Sequence, residues 1–189
     1  MKSLLPDANG AGACSYAPTL SLLNALTLLL LAVLAGCLGS PRISSGPSSP
    51  VGILKAANGR LTHMQFEKLA TFSSGRLYDY MDGAAEGYFK HNFQTLGTAD
   101  AKFRNTQAKA EVFLLAAPDD AKALFTELND GKGKELPAGL ASASWEAREL
   151  EGIFYRGPYF CRLMIYGNDK EAHQLLDALA AAIDLSIPK

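Results

Sequence analysis

The most unusual segment of the chain reads Tyr78-Asp79-Tyr80-Met81-Asp82-Gly83-Ala84-Ala85-Glu86-Gly87-Tyr88-Phe89. On a helix advancing about 100° per residue, Asp79, Asp82 and Glu86 fall within about 60° of one another, opposite a stripe of Leu77, Met81 and Tyr88. Such a row of carboxylates suits two chemistries. It could ligate a hard cation through oxygen, or one carboxyl could act as acid or base with its pKa raised by its neighbours. The plainer alternative is a solvated face on which Glu86 and Lys90 pair four residues apart. Gly83 and Gly87 sharpen the question, since each costs a helix interior about 1 kcal/mol relative to alanine. They make a smooth strip beside the acidic row, open to a ligand or to close packing against the domain's own sheet. A local break at Asp82-Gly83 is a third reading. Asp79, Asp82, Gly83 and Glu86 are therefore the candidate ligand or cation residues, and no catalytic residue is assigned.

Other reactive side chains offer less. His63, His91 and His173 lie far apart without Cys or Glu at ligand spacing. There is no Cys-x-x-Cys-His, His-Glu-x-x-His, Gly-x-Ser-x-Gly or phosphate-loop motif, and no cofactor is implied. Cys161 shares one face of a predicted strand with Leu163 and Ile165, which makes it a small buried hydrophobe rather than a nucleophile. Tyr155, Tyr159 and Phe160 read as sheet packing, with an aromatic contact patch as the alternative.

The elements that must hold these residues can be read from periodicity. Leu77, Met81, Ala84, Ala85 and Tyr88 form the apolar stripe of a helix over residues 76–90, opened by Ser73-Ser74-Gly75. Residues 108–116 begin as an alternating strand and end uniformly apolar, as a central strand covered on both faces would. Pro118-Asp119-Asp120 opens a second helix, with Pro in the first turn and acids where the helix dipole favours them. Strands are expected over residues 142–150, 153–156 and 159–166, joined at Glu151-Gly152 and Gly157-Pro158 into an antiparallel meander. Asn168 as N-cap with Glu171 completes a capping box before a last helix carrying Leu175, Leu176, Leu179 and Ile183. The expected fold class is α+β: an antiparallel sheet with helices packed mainly on one face.

The front of the chain differs from the rest. Up to Gly36 the only charged side chains are Lys2 and Asp7, and residues 20–33 are an uncharged apolar run. At about 1.5 Å per residue this is short for a membrane span and reads as the core of a secretory signal. Leu34-Ala35-Gly36-Cys37 follows and resembles the lipobox of bacterial lipoproteins, which implies cleavage before Cys37 and its lipidation. Multiple acyl chains on Cys37 would give stable membrane anchoring. Residues 38–50 are rich in Ser, Pro and Gly, a tether reaching at most about 40 Å. The expected organisation is thus a signal over residues 1–36, Cys37 and its tether over 37–50, and an α+β domain over 51–189. Leu38 after the lipidated Cys resembles the pattern that sends such proteins to the outer membrane, facing the periplasm.

Residues 77–93, Leu-Tyr-Asp-Tyr-Met-Asp-Gly-Ala-Ala-Glu-Gly-Tyr-Phe-Lys-His-Asn-Phe, also resemble the signature of an uncharacterised bacterial family of exported, often lipid-anchored proteins, as does Phe154-Tyr-Arg-Gly-Pro-Tyr-Phe160. That resemblance implies no activity, and Asp79, Asp82, Gly83 and Glu86 come from it only as motif positions. With 18 Lys and Arg against 19 Asp and Glu, the net charge of −1 gives no electrostatic reason for nucleic-acid binding. The expectation is a lipid-anchored binding or envelope-assembly module for an unknown protein or small molecule. The alternative is a cation-dependent module or enzyme built on the acidic face.

Overall fold

The computed structural model describes residues 48–139, 141–146 and 149–189. The expected signal, the lipobox with Cys37 and most of the tether lie outside the described residues. The fold begins before Val51. Ser49 Oγ accepts from the Gly52 amide at 3.1 Å, and Pro50 occupies the first turn of a helix, α1 (Pro50–Asn58). Ser48 is already held, its carbonyl accepting from the Tyr159 hydroxyl at 2.8 Å.

Six strands form one antiparallel sheet: β1 (Gln65–Ser73), β2 (Phe93–Phe103), β3 (Thr106–Leu115), β4 (Ala141–Glu146), β5 (Leu150–Arg156) and β6 (Tyr159–Ile165). Their spatial order is β1-β2-β3-β6-β5-β4. The expected meander of the last three strands is present, but Glu151-Gly152 lies inside β5 and the β4–β5 turn comes earlier. The helices α2 (Tyr78–Met81), α3 (Ala85–Phe89), α4 (Pro118–Leu128) and α5 (Lys170–Asp184) complete the α+β fold. Asp169, one residue later than expected, caps α5 by accepting from the Ala172 amide at 2.8 Å.

The antiparallel α+β class is as expected; the distribution of the helices is not. They cover both faces of the sheet. On the first face α1 and α5 bury Ile53, Leu54, Leu176 and Leu179 against Ala110, Val112, Cys161 and Leu163. On the second, α4 and the 78–89 segment bury Leu124, Phe125, Leu77 and Tyr88 against Phe113, Phe160, Leu96 and Ile153. The cause lies in the central strands: neighbours such as Val112 and Phe113 point to opposite faces, and both are fully buried. Where α1 docks, a Cβ on Gly97 would come within 2.7 Å of the Val51 backbone nitrogen, so glycine is what allows that close approach. Among the described residues no helix is long and apolar enough to cross a membrane.

Candidate functional site

The 78–89 segment is not one helix. After a single α-turn, Met81 adopts φ −135° and ψ 17°, and Asp82 sits at φ 46° and ψ −133°. A 3-10 turn (Asp82–Ala84) then leads into α3. Positive φ at a non-glycine residue costs on the order of 1–3 kcal/mol and persists only where the surroundings impose it. Here the buried Leu77 and Ala85 pin the chain on both sides of the break.

The break removes the uninterrupted stripe on which a shared acidic row depends. Asp79 Oδ2 takes a 3.2 Å contact from Arg76 Nε, Glu86 accepts from the Tyr78 hydroxyl, and Asp82 is exposed. Among the described residues no group of three or more His, Cys, Asp or Glu side chains is placed to hold a metal ion. His91 instead pairs with Glu127, Nε2 to Oε2 at 2.8 Å, and that hydrogen bond holds the Glu127 carboxyl below its usual range. Cys161 is fully buried, and burial pushes its thiol well above the ordinary value, as expected of a packing residue. Tyr155, Tyr159 and Phe160 are buried too, which settles them as sheet packing.

The segment does deliver two tyrosines to a buried charge network. Glu111 on β3 stands directly opposite Arg162 on β6, and Glu151 on β5 lies diagonally beyond it. Arg162 Nε donates to Glu151 Oε1 at 2.7 Å, while its Nη1 stays 3.9 Å from Glu111 Oε2. Tyr80 donates its hydroxyl to Glu111 Oε1, and its ring lies 5.4 Å from Lys109 Nζ. Glu111 Oε2 is buried without a hydrogen bond. Burial raises the Glu111 pKa; the Tyr80 hydrogen bond, Arg162 and Lys109 pull it back in part. Burial opposes the charge on Arg162, but the Glu151 hydrogen bond and the two carboxylates outweigh it and hold the guanidinium above its ordinary value. Tyr88 stacks on Phe113 with ring centres 4.3 Å apart, and burial together with the Glu111 carboxylate pushes its hydroxyl up to about 12.

Above this network a cleft of about 240 Å³ opens between Gly87 and Tyr88, α4 and the sheet. Leu124 and Glu127 from α4, Trp145 from β4, Glu151 and Ile153 from β5 and Arg162 from β6 line it. Gly87 thus reaches a site, whereas Asp79, Asp82, Gly83 and Glu86 do not line it. Sequence reasoning passed over Glu111, Glu151, Arg162 and Trp145. For Glu111 and Arg162 the signal was a charge interrupting an apolar strand, Ala110-Glu111-Val112 and Cys161-Arg162-Leu163, since a charge is buried only when partnered.

Neither glycine is explained by the fold. A Cβ on Gly83 or Gly87 would meet no atom within 4 Å, and neither residue is among the glycines with positive φ. Gly87→Ala is accordingly expected to stabilise the protein by about 0.5–1 kcal/mol through helix propensity. Urea unfolding checks this; a loss of stability would show that Gly87 serves the domain's own packing.

No protein-family model and no curated protein matches the chain. Among solved structures it is similar to the extracellular domain of PknH from Mycobacterium tuberculosis, with a TM-score of 0.42 and 11% identity over 70% of this chain and 90% of that one. A likeness at that level carries nothing about ligand or activity.

Proposed function

We propose that the protein is a lipid-anchored, extracytoplasmic binding module, acylated at Cys37 in the bacterial envelope, with the cleft beneath the 78–89 segment as its ligand site. The Leu34-Ala35-Gly36-Cys37 run, directly after an uncharged apolar stretch, supports the anchor above all else. Ser48, the first described residue, is held by Tyr159 on the α1/α5 face, whereas the cleft belongs to the opposite face of the sheet. The outer membrane, facing the periplasm, is the destination that Leu38 favours, and the Leu34-Ala35-Gly36-Cys37 run supplies the acylation signal.

The anchor is tested by growing cells with an alkyne-bearing fatty acid. The wild-type chain is expected to incorporate label and to fractionate with membranes. Cys37→Ser should do neither. Equal labelling of the two proteins, or a wild-type protein found in the cytosol with its leader intact, would overturn the anchoring.

A further inference from the structure

Two exposed Asp-Gly pairs, Asp82-Gly83 and Asp130-Gly131, are held in different ways by the fold. In the second pair both groups that could react are occupied. The Gly131 amide donates to Asn129 Oδ1 at 3.0 Å, and Asp130 Oδ1 accepts from the Lys132 amide at 2.9 Å. In the first pair the Asp82 carboxyl makes no hydrogen bond or ion pair among the described residues. Gly83 lies in the first turn of the 3-10 segment, where a backbone amide has no partner within the helix.

The dihedral angles complete the difference. At φ 46° and ψ −133°, Asp82 stands near the first central position of a type II′ turn. At an L-carbon Cβ is rotated by about 120° from the backbone nitrogen, so ψ −133° leaves the Asp82 Cβ and the Gly83 nitrogen about 13° from eclipsed about the Cα–C bond. A five-membered ring through Cγ, Cβ, Cα, the main-chain carbonyl carbon and the Gly83 nitrogen requires that near-eclipsed arrangement. In a continuous α-helix, with ψ about −42°, the same two atoms would stand about 80° apart. The break in the segment therefore presets the ring.

We propose that Asp82-Gly83 is a site of spontaneous main-chain rearrangement, through a succinimide, to isoaspartate. The Gly83 nitrogen bonds to Cγ of the protonated Asp82 carboxyl, the Cγ–OH bond breaks, and the hydroxyl leaves with the amide hydrogen as water. Water then adds to one of the two ring carbonyls. Addition at Cγ restores aspartate. Addition at the main-chain carbonyl carbon breaks its bond to the Gly83 nitrogen and leaves the peptide running through Cβ. Glycine favours closure because no Cβ crowds its nitrogen, a use for Gly83 that packing does not supply. The rearranged chain is one methylene longer between Tyr80, which holds Glu111, and Tyr88, which lines the cleft.

Full-length protein in detergent micelles is aged at neutral pH below its melting temperature, with and without enough urea to unfold it, and digested with trypsin. The peptides Leu77–Lys90 and Ala123–Lys132 carry the two pairs, and electron-transfer fragmentation distinguishes isoaspartate from aspartate in each. In the native protein isoaspartate is expected at Asp82 at least about 10-fold faster than at Asp130, as a preset reacting geometry gives, and in urea the two rates should agree within about 3-fold. Asp82→Glu, which cannot close a five-membered ring, should abolish the product in Leu77–Lys90. Equal native rates at the two pairs, or no isoaspartate at Asp82, would overturn the proposal. The same preference for Asp82 in urea would also overturn it, by making sequence rather than fold responsible. Product persisting in Asp82→Glu would do so by moving the reaction to Asp79.

Discussion

Arg162→Met is expected to cost about 3 kcal/mol near pH 7.5, and markedly less near pH 4.5. Arg162 is the cation between two carboxylates, one of which, on Glu111, has a side chain only 3% exposed. Removing one partner of a buried ion pair leaves its counterpart charged in a poorly solvating interior, at a cost of about 3–5 kcal/mol. The pH dependence follows from Glu111. Its pKa in the folded protein is already raised by burial, and Arg162, Lys109 and the Tyr80 hydroxyl are what restrain the rise against Glu151. Without Arg162 the folded-state pKa climbs further. A carboxyl whose folded pKa exceeds its unfolded value favours the fold fully below the unfolded value, about 4.5, and loses that contribution as pH rises through the folded value. The variant should therefore recover on acidification. Adding Glu111→Gln should remove most of the difference between the two pH values, because the amide cannot titrate while its oxygen still accepts from Tyr80. Urea denaturation of wild type, Arg162→Met and the double variant at both pH values provides the comparison. An Arg162→Met deficit that is the same at both would mean that Glu111 is not the group left stranded.

That network also marks the limit of what could be read from the chain. Elements set by local rules were legible: α4, with its proline and two acids in the first turn, spans Pro118–Leu128 as its pattern indicates. Cys161 was legible because strand alternation alone decides its face. The start of α1 carried a signal, Ser49 followed by Pro50, but the Ser/Pro-rich run before it resembles a tether in composition and hid it. The break at Asp82 was harder. The apolar stripe from Leu77 to Tyr88 suits a continuous helix, and only contacts made elsewhere impose φ 46° on an aspartate. A salt bridge across strands is harder still. Glu111 and Arg162 are 51 positions apart, and they meet because the β3–β6 register sets them opposite one another, with Phe113 against Phe160 one pair further along the same face. Register is a property of the whole sheet, so a site built on it cannot be found from spacing in one segment. The acidic row was inferred from spacing within a single presumed helix, and it did not survive the loss of that helix.

The second large effect concerns the architecture. Phe113→Ala should cost about 4 kcal/mol and lower the melting temperature by more than about 10 °C. On β3 and β6, adjacent register pairs point to opposite faces: Val112 with Cys161 towards α1 and α5, and Phe113 with Phe160 towards α4 and the 78–89 segment. The bulkier pair lies on the second face. Phe113 touches Tyr88 in a stack at 4.3 Å, and its ring centre is 5.9 Å from that of Phe160 and 6.2 Å from that of Phe93. Truncating it leaves a cavity where the 78–89 segment, β2 and β6 converge, and these cannot all close over it at once. Were the helices confined to the first face, Phe113 would meet solvent and its truncation would cost almost nothing. Calorimetry of Phe113→Ala thus decides between a sheet covered on one side and a sheet covered on two. Because Tyr88 rests on that ring and also lines the cleft, hydrogen exchange in α3 should quicken in the same variant by more than in α1, which packs on the other face. Equal loss of protection in both helices would show that the two cores do not open separately, and that the cleft wall has no support of its own.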